Sequence, residues 1–268
     1  KFSKPSEPSW PSPWGEGRPG WHSECVVMSL QLLGEGFDLH CGGADLRFPH
    51  HENERAQAVA LGKTFANHWM HNGFVVDTEG EKMSKSLGNV TNLLDLVEHY
   101  DPRAYRMLLL QTHYRSPVRV GQDNIDASVK AVSSIDGFFA RMAEVSTNAT
   151  ADEATLQAFR IAMNNDLDTP GATALMFDTI RKANAALDVK DDTLAGALAS
   201  AVKEMCVAFG LQVNAFAEVS TDIAEKAVQL DAARAAKDFA TADALRNELQ
   251  AAGYVVETTK EGTKVRRG

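Results

Sequence analysis

The chain has 268 residues, 44% of them hydrophobic and 24% charged, which is ordinary for a globular protein and enough for one large domain or two to three smaller ones. No apolar run approaches the roughly 20 residues of a membrane span, and three widely spaced cysteines (Cys25, Cys41, Cys206) argue against a disulfide scaffold and for a reducing, cytoplasmic setting. A net charge of −9 works against non-specific binding to nucleic acid but leaves room for a local basic groove.

The opening stretch, KFSKPSEPSWPSPWGEGRPG, has neither a basic n-region nor an apolar h-region, so it reads as chain continuing from further upstream and not as a targeting segment. Its five prolines forbid a long helix. Trp10 and Trp14 are residues that solvent-filling linkers rarely carry, so the stretch is expected to form an ordered, wrapped loop. Next, CVVMSLQLL predicts a helix and FDLHC a short buried strand ended by Gly42-Gly43. HHENERAQAVALG predicts a helix with Pro49 at its start, and MHNGFVVD another strand. Helix and strand in turn suggest an α/β fold with a parallel sheet. The polar loop TEGEKMSKSLGN precedes two helical stretches, NLLDLVEHY and DPRAYRMLLLQTHY, punctuated by Asp101-Pro102. From about residue 124 apolar residues recur at three and four positions through four segments, the mark of a helical bundle. Two Ala-rich helices follow residue 220, and YVVETTKEGTKVRR alternates around a Lys-Glu-Gly turn as a β-hairpin does. The expected division is 1–123, 124–215 and 216–268. Residues 222–268 hold eight Lys/Arg and eight Asp/Glu, so the other residues carry the whole −9 (19 minus 28).

Two groups of residues carry chemistry. Lys82 and Lys85 stand three apart in Lys82-Met83-Ser84-Lys85-Ser86, a loop able to close over a polyphosphate and offset charge that builds in nucleotidyl transfer. His50 and Glu54 are four apart on a predicted helix, so either could join a thiolate such as Cys25 at a metal; spacing does not choose between His50 and His51. Sulfur, imidazole and carboxylate together favour Zn²⁺ over harder cations.

The pentapeptide Lys82–Ser86 resembles the signature of class I aminoacyl-tRNA synthetases. GRPGWHSECVVM, FDLHCGGADLRFPHHENERAQ, WMHNGFVVD, EKMSKSLGN, MNNDLDTPGATALMFD and KDFATADALRNELQAAGYVVETTKEGTKVRR, in that order, resemble the cysteinyl-tRNA synthetases over essentially the whole chain. The resemblance implies the second half of a Rossmann-like catalytic domain, a helical bundle and a C-terminal anticodon-binding module. It implies Zn²⁺ held by Cys25, His50 and Glu54 with one upstream cysteine, the metal taking the thiolate of L-cysteine. It places Trp21 and His40 at the cysteine pocket, Gly42 and Asp45 beside the adenosine, and Lys85 on ATP, which enters with Mg²⁺ as substrate. The implied partner is tRNA(Cys), and a cytoplasmic monomer without membrane contact is expected.

Two departures stand out. None of the eight histidines forms the family's His-x-Gly-His element, so the chain reads as the C-terminal part of such an enzyme, inactive alone. Val265 stands where the family commonly has a tryptophan that could stack on a base. Two other readings share some of these motifs: a cysteine:amino-sugar ligase of mycothiol synthesis, which has no use for an anticodon module, and a truncated, non-catalytic tRNA-binding product. Cys41 and Cys206 are expected to be packing residues, and His68 and His71 receive no role.

Overall fold

The computed structural model describes residues 3–80, 93–145, 149–213, 221–259 and 262–267. Two compact units divide the chain: Lys1–Met83 with Tyr114–Val118, and Ser84–His113 with Arg119–Gly268.

In the first unit the proline-rich opening folds back on itself, Trp10 and Gly17 forming an antiparallel bridge. Gly20 is the N-cap of α1 (Trp21–Leu32), and β1 (Phe37–Gly43) follows. Short helical turns at Ala44–Leu46 and Arg47–His51 lead into α2 (Glu52–Ala60), which returns the chain to β2 (Ala66–Asn72). β1 and β2 pair in parallel from Phe37↔Ala66 to Gly43↔Asn72, so α2 is the crossover helix that a parallel pair requires. Val26 from α1, Phe37 from β1, Ala58 from α2 and Phe65 form the small apolar core beneath.

Two boundaries differ from the sequence expectation, each for a physical reason. β1 does not stop before Gly42-Gly43 but runs through both, because both stay paired with β2 (Gly42↔His71, Gly43↔Asn72), and the missing Cβ of Gly42, which would stand 2.7 Å from His51 Cε1, leaves room for that ring. MHNGFVVD is not one strand. The chain leaves β2 at Gly73 and resumes as β3 (Val75–Val76), because Gly73 lies against backbone: a Cβ there would stand 2.2 Å from the Ser116 carbonyl oxygen. Gly73 N–H donates to Tyr114 O at 2.7 Å, and Val118 N–H, in β4 (Val118–Arg119), donates to Phe74 O at 2.8 Å.

The second unit is helical: α3 (Leu93–His99), α4 (Pro102–Leu110), α5 (Gln122–Met142), α6 (Glu153–Asn164), α7 (Thr169–Asp188) and α8 (Asp192–Ala208). Asp101, Asp152, Asp168 and Asp191 cap α4, α6, α7 and α8 by accepting from a backbone N–H of the first turn, which explains the sharp starts. The bundle core includes the fully buried Met176, Ala183, Val202, Met205 and Cys206, and Met107 brings α4 into it. α4 is also clasped by a guanidinium. Arg103 donates to both carboxylate oxygens of Asp136 on α5 at 2.7–2.8 Å, to Asp101, and to the Gln212 carbonyl at 2.7 Å.

The C-terminal module consists of α9 (Thr221–Ala235), α10 (Phe239–Ala251) and the antiparallel hairpin of β5 (Tyr254–Thr259) and β6 (Gly262–Arg267), the expected alternation realised. Ile223, Leu230, Leu249 and Val256 form its core, and Val265 packs against them.

Candidate metal centre

Helical spacing assembles the site. On α1, Trp21, His22 and Cys25 fall within one turn of each other; on α2 and the turn before it, His50 and Glu54 lie four apart on the buried face. Together α1 and α2 bring the Cys25 sulfur, a His50 ring nitrogen and a Glu54 oxygen within 4.8 Å of one another. His40 arrives from β1 and His51 from the turn before α2, and with Glu54 they form a second group within the same limit. Five of the eight histidines thus gather near one carboxylate: His40 and His50 beside it, His22 on His50, and His51, within 4.8 Å of it, on His71.

The carboxylate is the telling group. Glu54 is fully buried, and its Oε2 meets His40 Nε2 at 2.9 Å. Its Oε1 lies 3.3 Å from His50 Nε2, yet that approach lacks hydrogen-bond geometry and Oε1 has no hydrogen-bond partner among the described residues. A buried carboxylate oxygen without a hydrogen bond is costly in an apolar interior, and a cation is a group that would satisfy it. His50 is held from its other side: Nδ1 stands 2.6 Å from His22 Nδ1, and the Trp21 ring stacks on it at 4.0 Å. His51 Nδ1 stands 2.9 Å from His71 Nε2.

Burial governs the proton affinities. It is the largest influence raising the Cys25 thiol, with the Glu54 carboxylate adding to it. Burial likewise lowers His50, against the opposing pull of Glu54, and lowers His51 to about 4, with His40 adding to the effect. These directions favour neutral imidazoles at His50 and His51 and a protonated thiol at Cys25. Imidazoles in that state are ready ligands, and a divalent ion supplies the charge that the thiol needs to release its proton. Thiolate, imidazole and carboxylate are the donor set of Zn²⁺, and three protein ligands leave a position open. The residues fit the metal.

Of the residues singled out in sequence, Cys25, His50, Glu54, Trp21 and His40 come together here. Gly42 lies against His51, and Asp45 stands in the turn that follows β1, its Oδ1 only 2.6 Å from the position of a Cβ on Gly43. Lys82 and Lys85 lie outside the described residues. The sequence reading passed over His22, although its place three residues before Cys25 on a helix was a usable signal, and it assigned nothing to His71, whose role is visible only in the strand pairing. His50 and His51, which spacing could not separate, both belong: one beside the thiol, the other beneath β1. Cys41 is exposed and not packed, while Cys206 is buried as expected.

Residues 1–130 match the tRNA synthetases class I (C) catalytic domain, 158–214 the DALR domain and 231–266 the Cysteinyl-tRNA ligase anticodon binding domain. The first of these matches places the parallel α/β unit that carries the site among class I tRNA synthetase catalytic domains. Curated relatives narrow the class. Cysteine–tRNA ligase of Cutibacterium acnes is 44% identical over 98% of this chain and 57% of its own length; those of Pseudomonas fluorescens and Halorhodospira halophila are 43% identical over 98% and 100% of this chain and 59% and 60% of theirs. The chain belongs to the cysteine–tRNA ligase family, and it spans somewhat under two thirds of the length of these relatives.

Proposed function

We propose that this chain serves the ATP-dependent ligation of L-cysteine to tRNA(Cys), through a cysteinyl-adenylate and release of pyrophosphate. The observation that carries the reading is the Cys25–His50–Glu54 cluster with its unpaired buried carboxylate oxygen. A Zn²⁺ held there supplies a soft partner for a thiolate, the property that separates cysteine from serine where size and hydrogen bonding separate them poorly. Trp21 and His40 orient the amino acid; Gly42 and Asp45 approach the adenosine; Lys82 and Lys85, the latter on ATP, meet the charge that develops on the phosphates. The division into 1–123, 124–215 and 216–268 assigns activation to the first part and tRNA recognition chiefly to the last. The anticodon-binding match over 231–266 supports a tRNA over a small amino-sugar as acceptor.

Metal analysis tests the reading directly. The purified chain is expected to hold substoichiometric zinc, raised by added zinc and abolished in the Cys25→Ser/His50→Ala double variant. Equal metal in both proteins would place the ion elsewhere and remove the basis of thiol selectivity. Cysteine-dependent exchange of pyrophosphate into ATP is expected to be absent from the 268 residues alone and to appear when the relatives' additional segment is supplied. In that completed enzyme Lys85→Ala is expected to slow adenylate formation by about 10² while cysteine affinity holds, the pattern of an interaction made in the transition state.

A further inference from the structure

The proline-rich opening has no part in the chemistry above, yet it is built with care. Trp10 and Gly17 exchange both backbone hydrogen bonds, at 2.7 and 3.0 Å, and two residues further in Ser12 and Gly15 do the same at 3.1 and 3.0 Å. The result is a hairpin with Pro13 and Trp14 as the central residues of its turn, Pro13 at the position where its fixed φ favours turning. Ser12 Oγ donates to Gly15 O at 2.6 Å, Ser9 Oγ to Glu16 at 3.1 Å, and Arg18 pairs with Glu7 at 3.4 Å. All this order serves to hold two indoles in water: Trp14 at the tip is 84% exposed and Trp10 is 57% exposed.

A large apolar ring fixed outward on an ordered turn is a surface that awaits a partner. Its surroundings say which kind. Protein interfaces bury an apolar core within a polar rim, whereas these indoles have Ser9, Ser12, Glu16 and prolines as their chain neighbours. Separate flat rings in a polar setting suit flat partners taken one at a time, as in base–aromatic stacking, and a pre-ordered turn loses little freedom on binding. Location adds to this. Gly17 is four residues from Trp21, whose ring stacks on His50, so chain length holds Gly17 within about 15 Å of the Trp21 backbone at the candidate metal centre.

We propose that the Trp10–Gly17 hairpin is a stacking platform for unpaired nucleobases, receiving the single-stranded 3′ end of an RNA on its way to the Cys25–His50–Glu54 site. This rests on the tRNA reading above, and the test keeps the two apart. Binding of a tRNA(Cys) transcript, and of the same transcript without its unpaired 3′ nucleotides, is measured with the wild-type chain and with Trp14→Ala and Trp14→Phe. Removing the 3′ nucleotides is expected to weaken wild-type binding about five-fold or more. Trp14→Ala should lose a similar factor on the intact transcript and nothing further on the shortened one, while Trp14→Phe retains most of the affinity. Equal, independent losses from the two changes overturn the platform and leave the tRNA reading standing. Absence of tRNA binding by the wild type overturns both. Shielding of Trp14 from acrylamide in a longer, RNA-free polypeptide, with no further change when RNA is added, would assign the hairpin to a protein contact and also overturn the proposal.

Discussion

The metal-site unit and the helical bundle bury their polar groups in opposite ways. In the bundle each one is answered locally: Ser128 Oγ donates to Asn124 O, Thr173 Oγ1 to Pro170 O and Thr179 Oγ1 to Leu175 O, all at 2.8–2.9 Å. In the site unit the buried polar groups are His50, His51 and Glu54, answered by the half-buried His22, His71 and His40 respectively, and one Glu54 oxygen has no hydrogen-bond partner among the described residues. The apolar support differs as well: among the described residues the core cluster beside the site has four buried members and that of the bundle twenty-one. A domain that fills its interior with apolar groups and satisfied hydroxyls is built for stability. One that gives interior volume to two imidazoles and a carboxylate gives up part of that stability, the trade expected of a functional site.

The largest effect expected on this contrast is at the bundle's ionic clasp. Arg103→Ala leaves Asp101 and Asp136 facing each other without their cation and frees the Gln212 carbonyl, which should cost about 3 kcal/mol. Arg103→Lys should recover only part, since an ammonium cannot serve two carboxylates with a planar fork. All four tryptophans lie between residues 10 and 69, so indole fluorescence reports the site unit while far-UV circular dichroism reports chiefly the helices. Denaturant curves for Arg103→Ala should move by circular dichroism and stay in place by fluorescence. If both move together, the two regions unfold as one, and their difference in packing is not a difference in stability.

Zinc should act on the other side of the contrast, with a slightly smaller effect. At a hundred times its dissociation constant a ligand of the native state adds about 2.7 kcal/mol, and here the gain should appear in the fluorescence transition. Glu54→Gln removes the charge while keeping the shape, so it should abolish most of the zinc-dependent shift yet unfold no earlier than wild type when zinc is absent. A metal-free Glu54→Gln protein that is markedly less stable would mean that the carboxylate is structural, held by His40, and that its unpaired oxygen carries no message.

How much of this the sequence disclosed follows the same division. The bundle was legible because three- and four-residue periodicity is a local property that packing then rewards, as Ile135, Phe138 and Met142 on α5 show. The pairing of His50 with Glu54 was legible for the same reason, four residues apart on one helix. The rest depended on partners distant in the chain. The end of β2 is set by Ser116, the reach of β1 by its pairing with β2, and the docking of α4 by Met107 and Arg103 meeting residues from α5 to Gln212. The five histidines come from positions 22 to 71, and no local pattern joins them.

The smallest effect concerns the C-terminal module and its pH dependence. Asp231 on α9 fastens the second strand of the hairpin: Thr263 N–H donates to its Oδ2 at 2.7 Å and the Thr263 hydroxyl to its Oδ1. Burial pushes this carboxyl up, but the two bonds from Thr263 and the nearby Arg234 outweigh it and hold the group below its ordinary value of 3.8. A carboxyl depressed in the folded state stabilises fully above its unfolded value, and that contribution is lost as pH falls through the folded value. Hydrogen exchange of the Thr263 amide should therefore be slow relative to its intrinsic rate near neutral pH and lose protection below about pH 4. Asp231→Asn, which accepts less strongly, should cost about 1 kcal/mol at neutral pH and almost nothing at pH 3. A variant whose deficit is the same at both values would show that Asp231 acts by packing under Gly262 and not by charge, since the Gly262 Cβ position lies 3.0 Å from its Oδ2.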